Sequence, residues 1–254
     1  GFDWIEIPLE TIGDMDSAEG ARIICAQGLG VSTCVAMGPN RDLVHPDSAI
    51  RENGAHYIRQ AIEATTKLGA TNLVGPMYSA VGRTWQMDAD ERARTTDLLV
   101  ENLKPLAQYA MDHGVVLGIE PLNRFETSFL NLTSQAIEVV DRVDSPAAGL
   151  LLDTFHMNIE EQSLGNAIRL AGKRMVQLHA CENHRGAPGS GTVHWDDVRQ
   201  GVRDVGYDGP IVIESFTAKV QSIARAAAIW RALAPTQDDL ARNGLAFLKQ
   251  LFAS

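Results

Sequence analysis

Short apolar runs alternate along this chain with longer stretches whose apolar positions recur at helical spacing. Phe2-Asp3-Trp4-Ile5-Glu6-Ile7-Pro8-Leu9 alternates and predicts a strand already under way at residue 1. Further strands are predicted over 31–37, 72–77, 115–120, 149–153, 174–180 and 210–214. Helices are predicted between them, over 17–27, 47–68, 88–113, 131–143, 163–171 and 195–205. Several close on a glycine, as at Gly28, Gly69 and Gly114, the residue that most easily ends a helix in the left-handed conformation. Pro105 predicts a kink or a break in the helix over 88–113. From about residue 220 the pattern is helical again, split at Pro235, with Thr236 and Asp239 placed like a cap for the last segment.

Strict strand–helix alternation predicts an α/β fold with a parallel sheet covered on its faces. The seven visible units are one short of a closed (β/α)8 TIM barrel. The simplest expectation is a single barrel domain over 1–254 whose first strand–helix unit, roughly 30 residues, is absent from this sequence. A doubly wound open sheet predicts a glycine-rich phosphate loop after the first strand, and Leu9-Glu10-Thr11-Ile12-Gly13 is not one. The barrel is favoured.

Composition narrows the function. With 22 basic against 32 acidic residues the net charge is −10, which argues against nucleic acid and against an anionic membrane surface. No apolar run approaches the ~18 residues that span a bilayer. Three cysteines, Cys25, Cys34 and Cys181, without CxxC spacing fit a reducing compartment, so a cytoplasmic location is expected.

The chemistry gathers in the second half of the chain. Leu150-Leu151-Leu152 reads as a strand buried on both faces, yet it stops on Asp153, with His156 and polar turn residues following. An unpaired buried carboxylate costs several kcal/mol, on the order of a whole side chain's burial, so something must compensate it. The pattern recurs at Glu120, His179 and Glu214, each closing a predicted strand. Barrels of this kind place catalytic groups at the C-terminal strand ends. Three carboxylates and an imidazole converging there would repel one another unless a cation sat between them. An oxygen-rich set with one nitrogen suits Mn²⁺, Co²⁺ or Mg²⁺ better than a structural Zn²⁺. The alternative is four unrelated strand-end charges; their occurrence on the last four strands in succession favours the metal. Cys181 is a candidate fifth ligand, with a buried inert thiol as the simpler reading. His184 lies near the same mouth, His45, His56 and His113 read as surface residues, and His194 as a capping or packing group.

Four segments carry a resemblance: Glu120-Pro121-Leu122-Asn123-Arg124-Phe125-Glu126, Leu152-Asp153-Thr154-Phe155-His156-Met157-Asn158-Ile159-Glu160-Glu161, His179-Ala180-Cys181-Glu182-Asn183-His184-Arg185-Gly186 and Glu214-Ser215-Phe216. Together they resemble the ketose 3-epimerases (D-tagatose, D-psicose and L-ribulose 3-epimerases) of the xylose-isomerase-like barrel superfamily. The candidate ligands at 120, 153, 179 and 214 stand 33, 26 and 35 residues apart, in the family's pattern. One departure is Pro121-Leu122, where the epimerases usually carry two β-branched residues.

The resemblance implies Glu120, Asp153, His179 and Glu214 as ligands of a divalent metal, Mn²⁺ first, with Glu120 and Glu214 doubling as acid/base groups. It implies Glu126, His156 and Arg185 as contacts to the sugar's C1–C3 oxygens, Phe216 and Tyr78 as apolar wall, and a homodimer or homotetramer. The expected reaction is epimerisation of a free ketose at C3 through a cis-enediolate. Two bases on opposite faces of a planar intermediate are the minimum for inversion without releasing it. For Arg185 an ion pair that merely holds Glu214 or Glu182 is an equal alternative. An aldose–ketose or hydroxypyruvate-type isomerase would use the same metal site with the proton moved between C1 and C2. A nuclease of the superfamily would need further metal ligands and a basic face; a non-catalytic sugar-binding role would not need both bases. The stripe Leu240, Leu245, Leu248, Leu251 and Phe252 reads as packing on the barrel or as an oligomer contact.

Overall fold

The computed structural model describes residues 1–253, the side chains of 222 and 223 aside. Seven parallel strands form one sheet in sequence order: β1 (Trp4–Pro8), β2 (Gly30–Cys34), β3 (Asn72–Gly75), β4 (Val116–Ile119), β5 (Ala148–Asp153), β6 (Met175–His179) and β7 (Ile211–Val212). Parallel neighbours need a crossover each, and helices supply it: α1 (Ser17–Ala26), α2 (Ser48–Leu68), α3 (Ala89–Asp112), α4 (Thr133–Val143), α5 (Thr154–Glu160), α6 (Leu164–Ala171) and α7 (Trp195–Asp204), followed by α8 (Gln221–Ala226) and α9 (Gln237–Ala253). β1 and β7 lie beside one another without ladder hydrogen bonds among the described residues, so the sheet is a nearly closed barrel.

Local chemistry explains the helix boundaries. The Asp47 carboxylate caps α2 by accepting from the Ala49 N–H, and Gly69 ends that helix at φ 78°. Asp88 does the same for α3 through the Glu91 N–H. Of the kink or break expected at Pro105, there is no break: α3 runs continuously through it. Pro105 and Glu101 both face water, so the carbonyl that loses its partner is solvated instead. The core fills the barrel and the layer under the helices. Leu150, Leu151 and Leu152 are fully buried, and each such side chain contributes about 1.5–3 kcal/mol of apolar burial.

Four expectations need correcting. The second strand ends at Cys34 rather than 37, although the Val35 N–H still bonds the Val74 carbonyl. The stretch after Asp153 is a helix, α5, and not a turn, because Asp153 itself caps it. β7 is only two residues long, so Glu214 lies beyond its end. The long helix expected from about 220 is the six-residue α8 followed by irregular chain over 227–236; the Thr236–Asp239 cap is present at the start of α9. Of the C-terminal stripe, Leu240 and Leu248 are buried on this barrel, and neighbouring Phe247 packs edge-on against Trp195.

Gly75, the last residue of β3, is fixed by space as well as conformation. Its φ is +126°, and a Cβ there would stand 2.1 Å from the Val35 carbonyl oxygen. Gly75→Ala is therefore expected to destabilise the protein by about 2 kcal/mol or more, because neither strand can retreat without breaking its ladder. Urea unfolding checks this; a loss below about 0.5 kcal/mol, the scale of a surface change, would contradict the packing described.

Candidate active site

The strand ends deliver the candidate residues to one mouth, each by a different local device. β5 and β6 slip register between Leu150 and Leu151, an irregularity that resets the ladder so that Asp153 lies directly beside His179. Asp153 then divides its carboxylate. Oδ1 accepts from the Phe155 N–H at 2.6 Å and starts α5, while Oδ2 points inward to Arg185 Nη1 at 2.7 Å. Glu120 follows β4 directly, its N–H bonded to the Gly75 carbonyl and its Oε1 3.7 Å from His156 Nε2. Glu214 also meets Arg185 Nη1.

Two loops carry the groups above this ring. The loop after β4 is tied to α5 by the Arg124–Glu160 ion pair at 2.9 Å and by the Asn123 N–H, which donates to His156 Nδ1 at 3.0 Å. The loop after β6 is organised by Glu182, wholly buried, whose carboxylate accepts from Trp195 Nε1 at 2.7 Å and the Gly189 N–H at 2.8 Å. That loop holds Arg185 at φ 62°, a left-handed conformation for a bulky residue, with its carbonyl bonded by Ser215 Oγ. Its guanidinium stacks on the Phe155 ring at 4.1 Å and lies 5.3 Å from the Phe216 ring.

Electrostatics separates the ionisable groups. Burial would raise the Asp153 carboxyl, but Arg185, the His179 contact and the nearby imidazoles outweigh it and hold it well below the usual range. Glu120 moves the other way: burial, and then the charge of Glu214, push it well above a normal carboxylate. His156 is pushed down to about 3 by burial and by the Arg185 charge, so its ring is neutral. His156 Nδ1 faces the Asn123 N–H at 3.0 Å and Nε2 faces Arg185 Nη2 at 2.9 Å. A neutral ring has one lone pair, so it accepts from only one of these two donors.

The donor set fits a divalent cation. His179 Nδ1 is buried with no hydrogen-bond partner, and it faces Glu214 Oε1 at 3.6 Å and Asp153 Oδ2 at 3.7 Å. Those separations are too long for hydrogen bonds and suit donors arranged around an ion. Glu120, Asp153 and His156 present ligand atoms within 4.8 Å of one another, as do Asp153, Cys181 and Glu214. His156 is the weaker ligand of the two histidines, since its one lone pair is already used by Asn123 or Arg185. Cys181 is a thiol whose ionisation burial disfavours, and its one S–H has two acceptors in reach, the Glu214 carbonyl at 3.1 Å and Asp153 Oδ2 at 3.3 Å.

A cavity of about 880 Å³ opens beside Arg185, lined by Glu126, Arg185, Phe125 and Phe155 and rimmed by Arg41 and residues 225–229; Glu120, Asp153, His179 and Glu214 are not among its lining residues. Glu126 faces it with Oε1 bonded to Asn123 Nδ2, and burial raises its carboxyl. Phe216 is half-buried beside Arg185. Tyr78 does not line this cavity: it is fully buried, its hydroxyl donates to the Leu130 carbonyl at 3.3 Å, and its ring packs edge-on against Phe129. His184 lines the cavity, and exposed His194 begins α7 without capping it through its side chain. A separate cavity of about 940 Å³ between Trp195 and Phe247 holds none of the strand-end groups.

Sequence reasoning missed Glu6, Gln177 and Asn123. Glu6 lies on β1 and contacts His179 Nε2 at 3.1 Å; a neighbouring strand in the barrel was the only signal.

Fold and site together define a barrel enzyme of the xylose isomerase-like TIM barrel class, and the model of that family matches residues 1–251. L-ribulose 3-epimerase of Methylomonas sp. (strain DH-1) is 32% identical over 254 residues, covering 99% of this chain and 88% of that protein. D-psicose 3-epimerase of Agrobacterium fabrum is 33% identical, over 97% of this chain and 88% of the relative. The solved structure of D-allulose 3-epimerase from Methylomonas sp. in complex with D-allulose superposes with a TM-score of 0.92 at 32% identity, over 98% of this chain and 86% of that one. The chain belongs to the ketose 3-epimerase family, an isomerase class. No helix among the described residues is long and apolar enough to cross a membrane.

Proposed function

We propose that this protein inverts C3 of a free ketose with the aid of a divalent metal, with Glu120 and Glu214 exchanging the proton. The observation that carries the proposal is geometric: His179 Nδ1 is buried without a hydrogen-bond partner and faces Glu214 Oε1 at 3.6 Å and Asp153 Oδ2 at 3.7 Å. Glu120 presents a carboxylate oxygen within 4.8 Å of a ligand atom of Asp153, so two glutamates stand at one candidate cation site.

Glu120, Asp153, His179 and Glu214 would hold the metal, and Mn²⁺ is the ion we assign from the oxygen-rich donor set. When bound, the metal supplies polarisation of the C2 carbonyl and stabilises the charge of the enediolate. The protein's own residues do the rest. Glu214 takes the C3 proton and Glu120 returns one to the other face; the reverse order serves the other epimer. After one turnover Glu214 is protonated and Glu120 ionised, and solvent resets them. Glu120 follows β4 and Glu214 lies beyond β7, with the Asp153 and His179 strands between them, so the two bases reach the mouth from different strands. His156 and the Arg185 guanidinium lie 2.9 Å apart, and together they would stabilise charge on the C1 and C2 oxygens. Glu126 would accept hydrogen bonds from the sugar's hydroxyls, and Phe216 would cover its apolar face.

The test is an assay with D-tagatose, D-fructose and L-ribulose separately, with and without Mn²⁺, the products being resolved by chromatography. C3 epimers formed only with metal support the proposal. An aldose product would move the chain to aldose–ketose isomerisation on the same site, and no turnover despite tight metal binding would exclude these sugars as substrates.

A further inference from the structure

Glu6 is a buried carboxylate that the proposed reaction does not use. It stands in the middle of β1, opposite Ser32 on β2, and its side chain points into the barrel with 8% of its surface exposed. Four donors surround it: Gln177 Nε2, the Cys34 thiol, Ser32 Oγ at 3.3 Å, and His179 Nε2, which lies 3.1 Å from Oε1 and 3.2 Å from Oε2. Gln177 is two residues before His179 on β6, so both side chains leave the strand on the same face. The Gln177 amide can only be oriented with its nitrogen toward Glu6, because an ionised carboxylate has no proton to offer the carbonyl end.

The imidazole of His179 thus lies between two sets of carboxylates. Nε2 meets Glu6, while Nδ1 meets Asp153 and Glu214 at distances with no hydrogen bond. Burial lowers the His179 imidazole, but Glu6 and Glu214 outweigh it and raise the ring well above its ordinary value without a metal, so a cation that binds Nδ1 must displace a proton and leave one N–H on the ring. A carboxylate at Nε2 keeps that remaining proton on Nε2 and frees the Nδ1 lone pair for a cation shared with Asp153 and Glu214. With no acceptor at Nε2, the ring would instead satisfy those two carboxylates with an Nδ1–H, and the nitrogen could not bind a cation there. Gln177 cannot replace Glu6 in this role, because its amide nitrogen is itself a donor toward Nε2 at 3.2 Å.

We infer that Glu6 is a positioning residue for the metal centre: from β1 it holds the Nε2–H of His179 and so commits Nδ1 to the metal. The inference rests on the metal-dependent reading above. It assigns a role to the first strand of this chain, which contributes none of the four candidate ligands. Carboxylates that orient a ligating histidine typically change metal affinity by 10–100-fold when removed.

Calorimetric titration with Mn²⁺ of the wild type and of Glu6→Gln tests it without reference to turnover. The glutamine keeps the volume, but its amide can donate to Nε2 and release the ring. The expected result is a Kd for Mn²⁺ raised about 10–100-fold in the variant, with a cooperative thermal transition retained in chelator. In parallel, cadmium NMR on wild-type protein with isotope-labelled histidine identifies the coordinating nitrogen, and this readout stands even if the variant fails to fold. Coupling of cadmium to Nδ1, with the proton kept on Nε2, is expected. Coupling to Nε2, or an unchanged Mn²⁺ affinity in Glu6→Gln, would overturn the inference and leave the proposed reaction standing. A wild type that binds neither ion would remove the metal reading and this inference together.

Discussion

Glu214→Gln is expected to lower kcat for C3 inversion about a hundredfold to ten-thousandfold, and Glu120→Gln by a similar factor. The two variants should nevertheless differ in deuterated water. If Glu214 removes the C3 proton from one epimer and Glu120 from the other, each variant keeps one working base. Glu120→Gln should then still exchange the C3 hydrogen of one epimer with solvent, and Glu214→Gln that of the other, with neither producing inverted sugar at the native rate. Both residues are also candidate ligands, so metal content must be measured alongside. A glutamine keeps the amide oxygen as a donor, and a variant that retains metal but loses inversion has lost a base and not the site. Retention of native kcat by either variant would remove that residue from the proton relay. Loss of both exchange reactions in both metal-replete variants would rule out two independent bases.

The repeated strand-then-ligand pattern made this mouth legible from sequence. Glu120, Asp153, His179 and Glu214 all reach it, because in a parallel barrel every strand's C-terminal end faces the same way. Their surroundings were less legible. In β1 the apolar Ile5 and Ile7 invite the reading that they face the core and Glu6 faces water; in fact Ile5 is 37% exposed and Glu6 points inward. Alternation identifies two faces of a strand but does not say which one is inside when the barrel interior near the mouth is itself polar. Asn123 was hidden for a different reason. Its backbone N–H and its side-chain Nδ2 both reach a histidine 33 positions away, and Nδ2 also bonds Glu126, contacts that no spacing in the sequence announces. The capping of α5 by Asp153 was missed because one carboxylate serves as both helix cap and site residue, and the sequence pattern argued only for the second. Tyr78 is a different case. The family resemblance implied it as apolar wall, whereas its hydroxyl has a carbonyl partner in the core and its ring packs on Phe129.

The largest effect on stability is expected at Arg185. In Arg185→Met the apolar volume is roughly kept, and the residue remains non-glycine at φ 62°, so backbone strain does not change much. What is lost is the buried positive charge. Asp153 Oδ2 forfeits its bond at 2.7 Å, Glu214 forfeits its partner, and Glu120 stands near both. Breaking a buried pair on one side leaves an uncompensated charge and costs about 3–5 kcal/mol. The sign of the pH dependence follows from Asp153. Its carboxyl lies well below the usual value in the folded protein, so its ionised form adds stability at pH values above the unfolded carboxyl's titration, and that contribution is lost as pH falls through the folded value. Arg185 is a leading cause of the depression, so in chelator the gap between wild type and variant should be widest near neutral pH and shrink in acid. Added Mn²⁺ should narrow the gap at neutral pH, because an ion held by Asp153 and Glu214 neutralises the same carboxylates. Denaturant melts at several pH values, with chelator and with Mn²⁺, measure all three effects. A loss below about 1 kcal/mol at neutral pH, the range of an exposed ion pair, would show that the Arg185 contacts do not carry the charge balance of the mouth.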